Sequence, residues 1–253
     1  MAIIHKTSIG SGPSSLLPSE QLFDRPHKKN GAENEELGRW KFLQIATLLI
    51  GSFAAGTAFT WSGDVLAQDK PPAPTMDMPS LVRALQNGGY VIYFRHAATD
   101  QSMPDSDRLD LKNCATQRGL SEKGREEARV IGKAFSALGI KVSSVLSSPY
   151  CRCIDTAKIA FGRVTVVQDL EFAISKNEAE TKRLGAVLRK YLGARPERGT
   201  NTVIVAHSAN LKESVGIWPQ PEGAAYFFQP HGEGTKYVAR VGPEEWPELV
   251  RAK

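Results

Sequence analysis

The chain has 253 residues, 41% of them apolar and 23% charged, with a formal net charge of +5. That length suits one domain with an extension or two small domains, and the composition excludes a wholly disordered, collagen-like or disulfide-scaffold protein. The basic excess lies in residues 78–253, with 25 Lys and Arg against 19 Asp and Glu; it suits an anionic ligand, and no RNP, zinc-knuckle or helix-turn-helix pattern points to nucleic acid.

Residues 1–41 are rich in Ser, Gly, Pro, Asn and charge without an apolar period, and read as a disordered tail. Arg39-Trp40-Lys41 then precedes an uncharged apolar run over 42–61. About 20 such residues cross a bilayer as a helix, and basic residues ahead of the run hold the amino end in the cytoplasm. Val65-Leu66-Ala67 offers a small-residue cleavage site, so both a signal peptide and a retained membrane anchor stay open. In either case the rest of the chain is expected outside the cytoplasm, periplasmic or anchored to the membrane. Residues 62–78 read as a Pro-rich linker, and residues 79–253 as the folded domain.

From Pro79 onward, short β-branched runs alternate with helical stretches, the pattern of an α/β domain. Tyr90-Val91-Ile92-Tyr93-Phe94 is continuously apolar, as expected of a strand buried on both faces, and stops at Arg95-His96. Leu120-Ser121 opens a helix to about Leu138, with Ser121 as its cap and Gly139 closing it. Val142-Ser143-Ser144-Val145-Leu146 is a second strand, ending in Ser147-Ser148-Pro149 before a helix that carries Arg152. Thr202-Val203-Ile204-Val205-Ala206 is a third and ends at His207. Ligands of open parallel sheets bind beyond the carboxyl ends of the strands. Three strands that each deliver Arg or His at that edge therefore point to one site.

Phe94-Arg95-His96-Ala97-Ala98-Thr99 resembles the Arg-His-Gly motif of the histidine phosphatase superfamily, which includes the phosphoglycerate mutases. Leu120-Ser121-Glu122-Lys123-Gly124-Arg125-Glu126-Glu127-Ala128 is similar to its helix-opening segment, Leu146 to Ala157 to the motif bearing its second Arg, and Val203 to His207 to the strand bearing its second His. The resemblance covers about residues 80–240, with the four segments in the family's order. Ala97 stands where the family usually has Gly, and Ser208 follows His207 where Gly is common. The resemblance implies a three-layer α/β/α sandwich with a mostly parallel sheet, like that of the phosphoglycerate mutases.

The resemblance and the residue chemistry imply the same roles. A neutral imidazole is a competent nucleophile near neutral pH, so His96 attacks phosphorus to give a phosphohistidine that water then hydrolyses. Arg95 and Arg152 meet the phosphoryl oxygens with planar, permanently charged donors. His207 adds a donor, and Thr99 and Ser147 add hydroxyls. For the acid that protonates the leaving oxygen, Glu171 is the first candidate, Glu222 the second, and the absence of any dedicated acid a third alternative. No metal-ligand spacing appears among His and Cys, so neither metal nor cofactor is expected. The partner is a phosphorylated substrate of unspecified identity, plus the membrane if the apolar segment is uncleaved.

Two alternatives accompany the phosphatase reading: a non-catalytic phospho-ligand-binding module of the same fold, and a mutase-type phosphotransferase. The short domain has no long insertion to form a cap, which favours a large substrate such as a phosphorylated glycan, lipid headgroup or protein. An oxidising compartment permits a disulfide. Cys114–Cys151 is its first form, Cys114–Cys153 the second, and three buried thiols the alternative to both.

Overall fold

The computed structural model describes residues 71–107 and 110–252; the expected tail, apolar segment and most of the linker lie outside the described residues. Among the described residues no helix is long and apolar enough to cross a membrane.

Six strands, β1 Val91–Arg95, β2 Val142–Ser147, β3 Thr165–Val166, β4 Asn201–Ala206, β5 Ala225–His231 and β6 Gly234–Val241, form one sheet in the order β3-β2-β4-β1-β5-β6. The first four in that order are parallel, and β5 and β6 close one edge as an antiparallel pair. Ile92 and Phe94 of β1, with Val145, Val203 and Val205, face a cluster that includes Leu81 and Leu85 of α1 (Met78–Asn87), Ile131 and Phe135 of α2 (Glu122–Leu138), Ala157 of α3 (Cys151–Phe161) and Trp246 of α6 (Trp246–Arg251). Val91, Tyr93 and Ile204 face the other way, against Leu188 and Leu192 of α4 (Glu178–Gly193) and Leu211 of α5 (Ser208–Val215). The expected three-layer sandwich with a mostly parallel sheet is thus present. Because helices cover both faces, β1 reads as an unbroken apolar run instead of an alternating one.

Each fully buried side chain of this kind contributes roughly 1.5–3 kcal/mol. Phe94 is ringed by aromatics, lying about 6 Å between centroids from each of Phe135, Phe161 and Trp246. Phe94→Ala would therefore cost about 3–5 kcal/mol.

Helix α2 begins and ends as the sequence indicates. The Ser121 hydroxyl accepts a bond from the Gly124 amide, and Gly139 closes the helix in the left-handed region at φ 69°. Gly124 is required for a different reason: a Cβ there would sit 1.9 Å from the Ala98 carbonyl oxygen. The first turn of α2 thereby lies directly on the loop that follows β1.

The expected linker boundary needs correction at its carboxyl end. The Thr75 amide donates to the Val238 carbonyl, Asp77 caps α1 through the Ser80 amide, and Met76 packs on the core. The fold begins by Thr75, before Pro79. A Pro-rich composition hid a segment that borrows its order from β6 and from a helix cap.

Candidate active site

Strand register brings the expected residues together. Arg95 pairs with Ala206 between β1 and β4, so the next residues, His96 and His207, leave the sheet side by side, with ring centroids 5.5 Å apart. Ser147 of β2 pairs with Val205. That sets Ser148 beside His207 and starts α3 so that Arg152 falls in its first turn.

The His96 loop is fixed by its backbone. The His96 amide donates to the Ala206 carbonyl, and its carbonyl accepts from the Gly223 amide. Nδ1 of the ring lies 3.0 Å from the Ala97 carbonyl oxygen; a carbonyl only accepts, so Nδ1 carries the proton and Nε2 keeps its lone pair. Burial, and after it the Arg152 charge, holds the imidazole well below its ordinary pKa, which keeps it neutral. Ala97, where the motif it resembles has glycine, is accommodated: it is buried with Leu120 and Ala128, and its amide donates to the Thr156 hydroxyl.

His207 stands between the rings of Tyr150 and Phe172, at 5.0 and 4.9 Å. Its carbonyl accepts from the Tyr93 hydroxyl, and its Nε2 is 2.8 Å from the Ser148 hydroxyl. Burial, then Arg152, lowers its pKa well below the ordinary value as well. The Ser147 hydroxyl instead donates to the Ser148 carbonyl, so the structure brings Ser148, not Ser147, to the imidazole. Cys153, the free buried cysteine, lies 3.6 Å from His207 Nε2. Burial pushes its thiol up to about 12, so it remains a neutral thiol at physiological pH.

The guanidinium groups complete the cluster. Arg152 is 1% exposed and lies over the Tyr150 ring, 4.5 Å from its centroid, a cation–π contact. It is paired with Asp105 at 2.9 Å. Arg95 donates to Glu222 at 3.1 Å and to the Pro219 carbonyl. The Thr99 amide and hydroxyl also donate to Glu222, and Arg118 stands 4.0 Å from the same carboxylate. The Nε atoms of Arg95, Arg118 and Arg152 are all buried without a hydrogen-bond partner. Buried donors left unpaired are costly, and three that are permanently cationic fit a multiply charged oxyanion. Among the described residues, no group of His, Cys, Asp or Glu could hold a metal ion.

Glu171, the first candidate for the acid, pairs with Lys176 at 2.9 Å and lines a cleft of about 830 Å³ with Asp110, Lys112, Cys114, Cys151 and Lys158. Glu222, the second, is in the cluster itself. Cys114 and Cys151 form a disulfide, the first of the pairings weighed from the sequence. Sequence reasoning missed Asp105, Arg118 and Ser148. Ser148 was adjacent to a residue it did name, whereas Asp105 and Arg118 lie in a polar stretch with no periodicity.

Residues 91–173 match the sequence profile of the Histidine phosphatase superfamily (branch 1). Over 117 residues the chain is 31% identical to a lipopolysaccharide core heptose(II)-phosphate phosphatase of Escherichia coli K12, a stretch that is 46% of this chain and 52% of that protein. The chain thus spans about half the length of the curated relatives it matches. Among solved structures it is similar to the protein histidine phosphatase SixA complexed with tungstate, at 15% identity and TM-score 0.44, over 62% of this chain and 98% of that one. It is also similar to a phosphoserine phosphatase of Entamoeba histolytica bound to 3-phosphoglyceric acid, at 15% identity and TM-score 0.42, over 60% and 96%.

Proposed function

We propose that this chain, which belongs to the histidine phosphatase superfamily through residues 91–173, hydrolyses phosphate monoesters through a phosphohistidine on His96. The observation that carries this reading is a neutral imidazole, its Nε2 lone pair fixed by the Nδ1 bond to Ala97, beside buried Arg152 and half-buried Arg95 and Arg118, whose Nε atoms are all buried and unpaired. Attack by Nε2 on phosphorus forms the P–N bond as the ester P–O bond breaks. The Ala97 carbonyl faces the positive charge that develops on the ring. Arg95, Arg152 and His207 hold the equatorial oxygens, where charge accumulates in transfer. Thr99 and Ser147 do their work through neighbours: Thr99 anchors Glu222, and Ser147 fixes the turn that presents Ser148 to His207.

The leaving group has room. The cleft beside the disulfide is lined by Cys151 and Glu171, the chain neighbours of Arg152 and Phe172. Its mixture of Lys and carboxylate side chains suits a polar, hydroxyl-rich body, so a phosphorylated glycan is the first substrate class to test; a relative named as a heptose-phosphate phosphatase supports that order. The Cys114–Cys151 disulfide supports the reading that the domain works in an oxidising compartment outside the cytoplasm. A fusion of residues 1–75 to a reporter active only after export should give signal; signal from a cytoplasm-only reporter would refute it.

The mechanism is tested by quenching the full-length protein during turnover of a labelled phosphoester. Acid-labile, base-stable label is expected on the peptide containing His96, and His96→Ala should lose both label and turnover. Near-normal hydrolysis by His96→Ala would end the proposal. A wild type that binds phosphate and never turns over would establish the binding-module reading in its place.

A further inference from the structure

We propose that Asp105 is the proton donor to the leaving oxygen; the inference rests on the phosphatase reading and completes it. Four carboxylates approach the site, and the structure commits three of them elsewhere; Glu127 accepts from the Ala98 amide and pairs with Lys123. Glu222 has both oxygens engaged, Oε1 by Arg95 and the Thr99 hydroxyl, Oε2 by the Thr99 amide and hydroxyl. Its neighbour Gly223 is bonded to the nucleophile's own turn, the amide donating to the His96 carbonyl. A leaving group departs in line, on the face of phosphorus opposite the attacking nitrogen. Glu171 is paired with Lys176 and contacts neither imidazole nor guanidinium of the cluster.

Asp105 stands differently. It reaches Arg152 at 2.9 Å from the loop between β1 and α2, with its side chain 7% exposed. Both described bonds, from Arg152 Nη1 and from the Arg118 amide, fall on Oδ1. The described residues around it are tied at three points: the Ser106 amide donates to the Thr116 carbonyl, the Gln117 side chain accepts from the Cys151 amide, and the Cys114–Cys151 bond joins this stretch to the first turn of α3. The carboxyl group is therefore delivered onto the phosphate-holding arginine by a later part of the loop than the His96–Ala97 turn that fixes the nucleophile.

A phosphoryl dianion that binds Arg152 comes against this carboxylate. Two anions on one guanidinium repel, and sharing one proton relieves the repulsion, so the bound ester places a protonated carboxyl beside its own leaving oxygen. In the first step the P–N bond forms on His96 Nε2, the P–O bond breaks, and the Asp105 proton passes to the departing oxygen to give an alcohol. In the second, the Asp105 carboxylate takes a proton from water as that water forms the new P–O bond. The P–N bond breaks, and neutral His96 and the Asp105 carboxyl are restored.

The test compares Asp105→Asn with wild type, as full-length protein, on an alkyl phosphate and on dinitrophenyl phosphate, whose leaving group needs no proton. Turnover of the alkyl ester should fall by about 10²-fold or more, within the usual range for a lost general acid. The aryl ester should change by no more than a few-fold, with label still appearing on His96. Equal slowing of both esters overturns the proposal, as does faster turnover of both, which would make Asp105 a plug on Arg152. The same bias in Glu171→Gln instead would move the donor there. Asp105→Gly with added formate is the second variant: recovery confined to alkyl esters supports the assignment, and no recovery refutes it. Failure of the phosphatase reading itself is distinct, because wild type would then give no labelled His96 with either ester.

Discussion

The two histidine turns and the β1–α2 loop meet at the same arginines but are built in opposite ways. His96 and His207 end neighbouring parallel strands and are 3% and 1% exposed; backbone bonds that continue the sheet hold His96, and the Tyr93 hydroxyl holds the His207 carbonyl. The loop carries exposed Gln101, Ser102, Met103 and Pro104 and is joined to the core by a few side-chain ties, through Asp105, Gln117 and Cys114. Order in the first region comes from the core, and disturbing it means unfolding. Order in the second comes from cross-links that single substitutions remove. The contrast separates a nucleophile held by the sheet from a carboxylate held by cross-links.

The largest effect is expected where the two regions touch. Arg152→Ala should lower kcat/KM by the equivalent of about 3–4 kcal/mol, the range for a lost oxyanion donor, with label still forming slowly on His96. It should also destabilise the fold by roughly 3–5 kcal/mol, because Asp105 is left as a buried, unpaired charge. Combining Arg152→Met with Asp105→Asn should recover much of that stability and none of the activity. Urea unfolding read beside steady-state rates checks both. Equal stability loss in the single and double variants would show that the loop does not depend on this pair.

The same division explains what the sequence made legible. Tyr90 to Phe94, Val142 to Leu146 and Thr202 to Ala206 announce buried parallel strands because both faces are apolar, and the residues after them are easy to find. Ser121 and Gly139 bracket α2 because capping is local chemistry. The β1–α2 loop has no period, and its partners are distant in sequence: Asp105 to Arg152, Gln117 to Cys151. Nothing local marks such residues, so Asp105 and Arg118 stayed unread while Glu171, beside a motif, stood out. The cysteines were an exception: Cys114 and Cys151 lie beside two phosphate-binding motifs, which made their bond the first of the pairings to weigh, ahead of Cys114–Cys153 and three free thiols.

A smaller effect tests how far the loop depends on its covalent tie. Replacing Cys114 and Cys151 with Ser should cost about 2–4 kcal/mol of stability, the usual range for a native disulfide. Aryl phosphate turnover should fall less than alkyl turnover, since the bond orders the Asp105 side of the site and not the histidines. Thiol titration of denatured, unreduced wild type should find one free thiol, Cys153. Three would mean the bond is absent and the loop is held by hydrogen bonds alone.

The smallest expected effect, about 1.4 kcal/mol per pH unit for each histidine, isolates the strand-end region. Burial is the larger cause and Arg152 the next in holding His96 and His207 well below their ordinary proton affinity. Below pH about 6.5 the unfolded chain binds protons that the folded chain refuses, so protonation favours unfolding. Stability from these groups is therefore fully present above that pH and is lost as pH falls towards the folded values. With both histidines the slope approaches about 2.7 kcal/mol per pH unit; with His207→Gln it should fall to about half. Urea midpoints between pH 8 and pH 5 measure it. The disulfide-free protein should show the same slope from a lower starting stability, because the bond and the imidazoles act on different regions. An unchanged slope in a His96→Asn, His207→Asn double variant would show that the folded protein already carries protonated imidazoles. A neutral nucleophile at His96 would then be untenable.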